Sequence, residues 1–224
     1  MQAGTEVVPL ALGHVTPRGG PFADRRSPIQ AFLIRHPDGP FLVDTGVGNG
    51  HDGIDKLYEQ ELVALTDALA AIGCMPSDIA AVINTHLHFD HCGENRLFAG
   101  VAIYVQAAEY EAAAAYAYTV PEWFQFAGAK YEQLTGQAEI AAGVSVLPTP
   151  GHTPGHQSVL VETDSGLAVI AGHAAYTAAE YADKEPAVGG DWDDAAYARS
   201  LALLRGLAPQ RVYFSHDATV WTRE

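Results

Sequence analysis

Basic residues are scarce in this chain. Lysine and arginine together number 12 against 27 aspartates and glutamates, a formal charge of −15 over 224 residues. No basic cluster offsets that excess, so a phosphate backbone or an anionic membrane surface would be repelled. Nucleic-acid processing and binding to anionic membrane surfaces are thereby disfavoured. Cysteine is nearly absent: Cys74 and Cys92 cannot build a disulfide framework and read as two ordinary reduced thiols. No apolar run approaches the roughly 18 residues a membrane span needs. The alanine-rich stretch Ala107 to Tyr118 is broken by Glu109 and Glu111. Met1 to Leu10 carries no basic region followed by an apolar stretch, so it does not read as a signal peptide. Internal repeats, low-complexity tails and Gly/Ser linkers are also missing. With 48% apolar and 17% charged residues, the chain reads as a soluble cytoplasmic protein, folded as one domain over residues 1–224.

Apolar patterning predicts strands at Glu6 to Leu12, Ile29 to Arg35 and Phe41 to Asp44, the last two joined by the turn sequence His36-Pro37-Asp38-Gly39-Pro40. Leu62, Leu65, Leu69 and Ile72 recur at helical spacing, with Gly73 as the stop. Further strands are expected at Ile79 to Asn84, Val101 to Gln106, Val144 to Leu147, Ser158 to Glu162, Leu167 to Ala171 and Arg211 to Phe214. An alanine-rich helix follows Gln106, and a late helix over Tyr197, Leu201 and Leu204 stops at Gly206. Strand runs at each end with helices between them predict an α/β sandwich of two sheets with helices packed outside. Thr119 to Gly136 is less regular. Its aromatic residues Trp123, Phe124, Phe126 and Tyr131 fit either a flap over a site or a helix packed on the core. Gly13 to Arg26 reads as a surface loop, or as an arm that rims a pocket or reaches a neighbour.

What the chain does have is ten histidines. Thr85-His86-Leu87-His88-Phe89-Asp90-His91 follows a predicted strand. In an extended segment residues two apart point the same way, so His86 and His88 can grip one ion. A turn after Phe89 would bring Asp90 and His91 to a second. Imidazole and carboxylate donors suit zinc, with iron or manganese as alternatives. In Thr149-Pro150-Gly151-His152-Thr153-Pro154-Gly155-His156, a Pro/Gly loop fixes His152 as a further ligand, whereas His156 reads as a structural or orienting group. His173 and His216 each stand at the C-terminal lip of a predicted strand. His14, His36 and His51 have no such setting and are expected in solvent.

The His86-Leu87-His88-Phe89-Asp90-His91 run, Asp44-Thr45-Gly46 upstream, His152 after Pro-Gly and the late His216 resemble the metallo-β-lactamase superfamily, over roughly Ile29 to Asp217. Phe89, the string Pro150 to Ser158 and Tyr176 three residues after His173 look most like its N-acyl homoserine lactonases. The resemblance implies an αββα sandwich, two mixed β-sheets flanked by helices, with a dinuclear site at the open edge between them. It implies His86, His88 and His152 on one ion and Asp90, His91 and His216 on the other, zinc being the expected metal with iron, manganese or cobalt as substitutes. Asp44 matches the buried aspartate that supports the ligands, and Tyr176 the tyrosine beside the substrate carbonyl. One position departs: the pattern has a bridging aspartate where this chain has His173. A neutral imidazole offers one lone pair and no charge. Three arrangements are open: His173 ligates one ion, turns away and leaves a weakened or mononuclear site, or marks a site that has lost its chemistry. Asp183 or Glu180 could compensate.

The implied activity is opening of a lactone ring by metal-bound hydroxide. Tyr176 would steady the oxyanion and Asp90 pass a proton to the leaving alkoxide, while the aromatic flap contacts an acyl chain. Glyoxalase II-like thioester or ester hydrolysis uses the same ligands, but that resemblance implies a helical C-terminal substrate domain, and this chain ends eight residues after His216. Single-iron persulfide dioxygenase-like chemistry and a non-catalytic metal-binding role complete the alternatives. The expected partner is a small-molecule lactone or ester, with the chain as a monomer or homodimer.

Overall fold

The computed structural model describes residues 4–19, 23–116 and 118–223. Strands β1 (Glu6–Pro17), β2 (Ser27–Arg35), β3 (Phe41–Val43), β4 (Tyr58–Leu62), β5 (Ala81–Ile83), β6 (Ala102–Gln106) and β7 (Lys130–Leu134) form one sheet in the order β4-β1-β2-β3-β5-β6-β7. Strands β8 (Ala138–Ala141), β9 (Val144–Pro148), β10 (Gln157–Thr163), β11 (Gly166–Ile170), β12 (Arg211–Phe214) and β13 (Asp217–Thr222) form the other, ordered β13-β12-β11-β10-β9-β8. Both are mixed. The first is antiparallel from β4 to β3 and parallel from β3 to β7, and the second is antiparallel except at β11–β12.

Alternation along the strands makes the layers. In β2, Phe32 and Ile34 face the second sheet, while Ile29, Ala31 and Leu33 face the helical side. In β10 and β11, Val159, Val161, Ala168 and Ile170 face the first sheet, while Leu160 and Val169 face outward. Strands buried on both faces read as continuous apolar runs, which is why they were visible in the sequence. The outer faces are covered by α1 (Asp52–Leu57), α2 (Leu65–Ala71), α3 (Phe89–Cys92), α4 (Ala107–Tyr116) and α5 (Pro121–Phe124) on one side, and by α6 (Ala178–Tyr181) and α7 (Asp194–Gly206) on the other. This is the expected αββα sandwich.

Several expectations need correction. Leu62 lies in β4; α2 begins at Leu65 and ends before Gly73, whose φ of +73° makes the stop. Of the two readings of the aromatic segment, packing on the core holds and the flap does not. Trp123 and Phe124 are core residues, Phe126 packs beside Trp123 in the same cluster, and Tyr131 belongs to β7. Gly13 to Arg26 is not a plain surface loop, because Gly13 to Pro17 complete β1 and pair with β4. Of that segment Gly20 to Phe22 lie outside the described residues, as do Met1 to Ala3 of the N-terminal stretch and Ala117 of the alanine-rich one. Both cysteines are buried and free, and burial pushes the Cys92 thiol up to about 12. No helix among the described residues is long and apolar enough to cross a membrane.

Candidate metal centre

Five strand ends deliver the site residues to one edge of the sandwich. The turn after β3 carries Asp44, the segment after β5 carries His86 and His88 and runs into α3 with Asp90 and His91, and the loop after β9 carries His152. His173 follows β11 and His216 follows β12. Gly172 makes the β11 exit possible. Its φ is +59°, and a Cβ there would lie 2.6 Å from His156 Nε2 and 2.9 Å from the Thr85 side chain.

The donor atoms form two groups. Nε2 of His86 lies 3.1 Å from Nδ1 of His88, which lies 2.8 Å from Nε2 of His152. Oδ2 of Asp90 lies 3.3 Å from Nε2 of His216 and 3.7 Å from Nε2 of His91. His173 completes both groups, and within each the donor atoms lie within 4.8 Å of one another. Nitrogen-rich donors gathered at this spacing fit divalent zinc-like ions.

Outer partners fix most of these rings. His91 Nδ1 donates to Asp44 Oδ2 at 2.7 Å, and Thr85 gives Asp44 both its N–H and its hydroxyl at 2.7 Å. His86 Nδ1 lies 3.1 Å from the Thr85 hydroxyl oxygen, and His216 Nδ1 donates to the Pro28 carbonyl at 2.8 Å. His152 Nδ1 lies 3.0 Å from the Tyr176 hydroxyl and 3.3 Å from Asp191 Oδ2. Each bond leaves the opposite nitrogen free to bind a cation. His156 is buried and outside both groups. Its Nε2 accepts the His173 backbone N–H at 2.8 Å, and its Nδ1 bonds the Thr149 carbonyl at 3.0 Å, the orienting role expected of it.

Burial, followed by mutual repulsion, drives His86, His156 and His173 well below the usual imidazole range and His88 to about 3. His152 is lowered by burial, against the pull of Asp191. These rings are therefore neutral, the form that binds metal. Burial opposes charge at His91 too, but Asp90 and Asp44 outweigh it and raise the ring. Asp90 stays ionised: burial works against it, and His91 and His216 prevail.

Several participants escaped the sequence reading. Buried Glu109 accepts from the Leu87 N–H at 2.9 Å, the Tyr118 hydroxyl at 2.9 Å, the Thr153 hydroxyl at 2.6 Å and the Gly155 N–H at 3.2 Å. It ties the His86–His91 segment to the His152 loop. Asp191 touches His152 from the pocket side. His51, expected in solvent, caps α1, meets the Trp123 ring edge-on at 5.9 Å and lines the pocket. His14 is half-buried in β1, and the His36 side chain is tucked against Phe41, 4% exposed. Neither Glu180 nor Asp183 compensates for the histidine at 173. The Glu180 carboxylate is taken by the Tyr176 and Val188 N–H groups and the Tyr197 hydroxyl, and Asp183 pairs with Arg205.

From the two groups His88, Asp90, His152, His173 and His216 line a cavity of about 620 Å³, with His86 and His91 buried behind them. One wall is apolar: Val15, Ile54, Leu57, Tyr58, Phe89 and Val120. The metallo-β-lactamase superfamily profile matches residues 24–216. This chain belongs to that superfamily. Among its curated members, an N-acyl homoserine lactonase of Bacillus cereus is 34% identical over 206 residues, covering 85% of this chain and 81% of the relative. The N-acyl homoserine lactonase AttM of Rhizobium radiobacter is 32% identical, covering 99% of this chain and 90% of the relative. A solved N-acyl homoserine lactone hydrolase, with its product N-hexanoyl-L-homoserine at the catalytic metal centre, superposes with a TM-score of 0.82 at 28% identity, covering 97% of this chain and 95% of that one. These superfamily relatives are metal-dependent lactone hydrolases.

Proposed function

We propose that this protein is a metal-dependent hydrolase that opens the ring of N-acyl homoserine lactones. The observation that carries the reading is the pair of donor groups beside a cavity that apolar side chains also line. His86, His88 and His152 would hold one ion and Asp90, His91 and His216 the other, zinc best fitting the donors. When bound, such ions make water acidic enough to act as a nucleophile and polarise a carbonyl.

The chain's own groups supply the rest. Burial, then the nearby Asp191 charge, pushes the Tyr176 phenol up, so it stays protonated and can donate to the oxygen on which charge develops. When the acyl C–O bond breaks, the leaving alkoxide needs a proton, and ionised Asp90, which lines the cavity, is the group to relay one. The product, an N-acyl homoserine, keeps both fragments tethered. The apolar wall of Ile54, Leu57, Tyr58 and Phe89 would take the acyl chain, in place of the aromatic segment read as a flap. A cytoplasmic site of action, on a diffusible small molecule, belongs to the same proposal and is supported by two buried free thiols. The acting unit is a monomer or a homodimer.

The test is proton release from a panel of acyl homoserine lactones by zinc-loaded protein, with simple thioesters and open-chain esters as controls. Lactones should be opened with the highest kcat/KM. Tyr176→Phe should lower kcat about 100-fold with KM little changed. Preference for a thioester, or an unchanged kcat in the variant, defeats the assignment.

A further inference from the structure

The ring of His173 stands between the two donor groups with one nitrogen toward each. Nδ1 is 2.8 Å from Nε2 of His152, and Nε2 is 3.2 Å from Nε2 of His91. Four of the other five histidines in the groups, His86, His91, His152 and His216, give their second nitrogen to a hydroxyl, carboxylate or carbonyl outside the groups. His173 differs: its ring nitrogens meet only the donor nitrogens of opposite groups, among the described residues. Once those donors are committed to cations, a His173 N–H has no acceptor on either side.

The ring is also held in place. His156 fixes the backbone N–H at 2.8 Å, and the Tyr176 ring stacks on the imidazole at 4.5 Å and 28°. The His216 ring lies beside it as well, at 4.6 Å and tilted by 47°. A side chain packed this way does not turn out of the site.

We propose that His173 bridges the two ions through opposite ring nitrogens, Nδ1 completing the His86–His88–His152 group and Nε2 the Asp90–His91–His216 group. The inference rests on the two-ion reading above. Binding the second ion displaces the remaining ring N–H proton to solvent, and no electron changes hands. The bridging imidazolate then carries one negative charge, the same as a bridging carboxylate, so the substitution preserves the charge balance of the pair. The geometry changes instead. With ions about 2.0–2.1 Å beyond nitrogens on opposite edges of one ring, the pair is held about 6 Å apart. Two-metal sites closed by a shared oxygen hold their ions about 3.5–4 Å apart.

Metal analysis and zinc K-edge X-ray absorption on the intact, zinc-loaded chain decide this without reading activity. The expected result is about two zincs per chain with imidazole-rich shells and no zinc–zinc scattering near about 3.5 Å. His173→Asp should introduce that short vector. The dicopper(II) form of the unsubstituted chain should show an exchange-coupled spin pair in place of two independent signals. A short zinc–zinc vector in the unsubstituted protein, or a single zinc per chain, overturns the bridge. The two readings fail separately. Two widely spaced ions in a protein that opens no lactone would defeat the hydrolase and leave the bridge, whereas a short vector in an active lactonase would do the reverse.

Discussion

Glu109 is a carboxylate with four donors and almost no solvent, and that combination defines its role. Burial pushes its pKa up, and the bonds from Thr153, Leu87, Tyr118 and Gly155 act against that shift. Two of the four donors are backbone N–H groups, one on the His86–His91 segment and one on the loop that carries His152. Truncation to alanine would leave these donors buried and unpaired, each at about 1–3 kcal/mol, and release the two segments from each other. Glu109→Ala should therefore weaken zinc binding about 10–100-fold, the usual effect of losing a group that orients ligands. Glu109→Gln, which keeps an acceptor oxygen and the volume, should recover most of that affinity. Competition with a chelator of known affinity measures both. Equal affinity in Glu109→Ala and the unsubstituted protein would reduce Glu109 to a bystander. Its position, third in an alanine-rich helix, gave no hint of this, because the role depends on partners 22 to 46 residues away. Asp44 is the contrasting case. It too works at a distance, on Thr85 and His91, but Asp44-Thr45-Gly46 belongs to a recognisable pattern.

Among the elements, legibility follows burial. β2, β5, β10 and β11 are covered on both faces, so their apolar runs announced them. β4 (Tyr-Glu-Gln-Glu-Leu) and β7 (Lys-Tyr-Glu-Gln-Leu) lie at sheet edges with exposed or half-buried residues. Pairing with β1 and β6 makes them strands, and a local pattern cannot show pairing. The aromatic segment stayed open between two readings for a related reason, since Trp123 and Phe124 would look the same in a lid or a core. The correction moves the apolar subsite to α1 and β4, elements the sequence did not reveal. That relocation is testable. Ile54→Trp fills part of the wall and should lower kcat/KM for long-chain acyl homoserine lactones about 10-fold or more relative to short-chain ones. A uniform loss across chain lengths would place the acyl group elsewhere, as would a comparable shift from Phe126→Ala, whose side chain packs on the core cluster.

The whole molecule holds an unusual store of neutral imidazole. Folding the metal-free chain buries His86, His88, His152, His156 and His173 with pKa values below the ordinary 6.5, mainly through desolvation. The unfolded chain takes up protons on these rings as pH falls through about 6.5, and the folded chain does not. The unfolded state then binds more protons, so stability falls with falling pH. For His88 the loss extends from 6.5 down to about 3, where the folded ring is protonated in turn. His91 runs the other way: its raised pKa contributes stability at low pH that is lost as pH rises, but it is one ring against five. Each net proton is worth about 1.4 kcal/mol per pH unit. The urea midpoint of chelator-treated protein should drop between pH 7 and pH 5 with a slope of more than one net proton. Zinc should raise the whole curve at neutral pH by binding only the folded chain, and that gain should shrink across the same interval as protons compete for the ligating nitrogens. A flat profile from pH 7 to pH 5 would mean that these rings are already solvated or charged in the folded chain. The donor groups would then have to assemble on metal binding instead of standing ready for it.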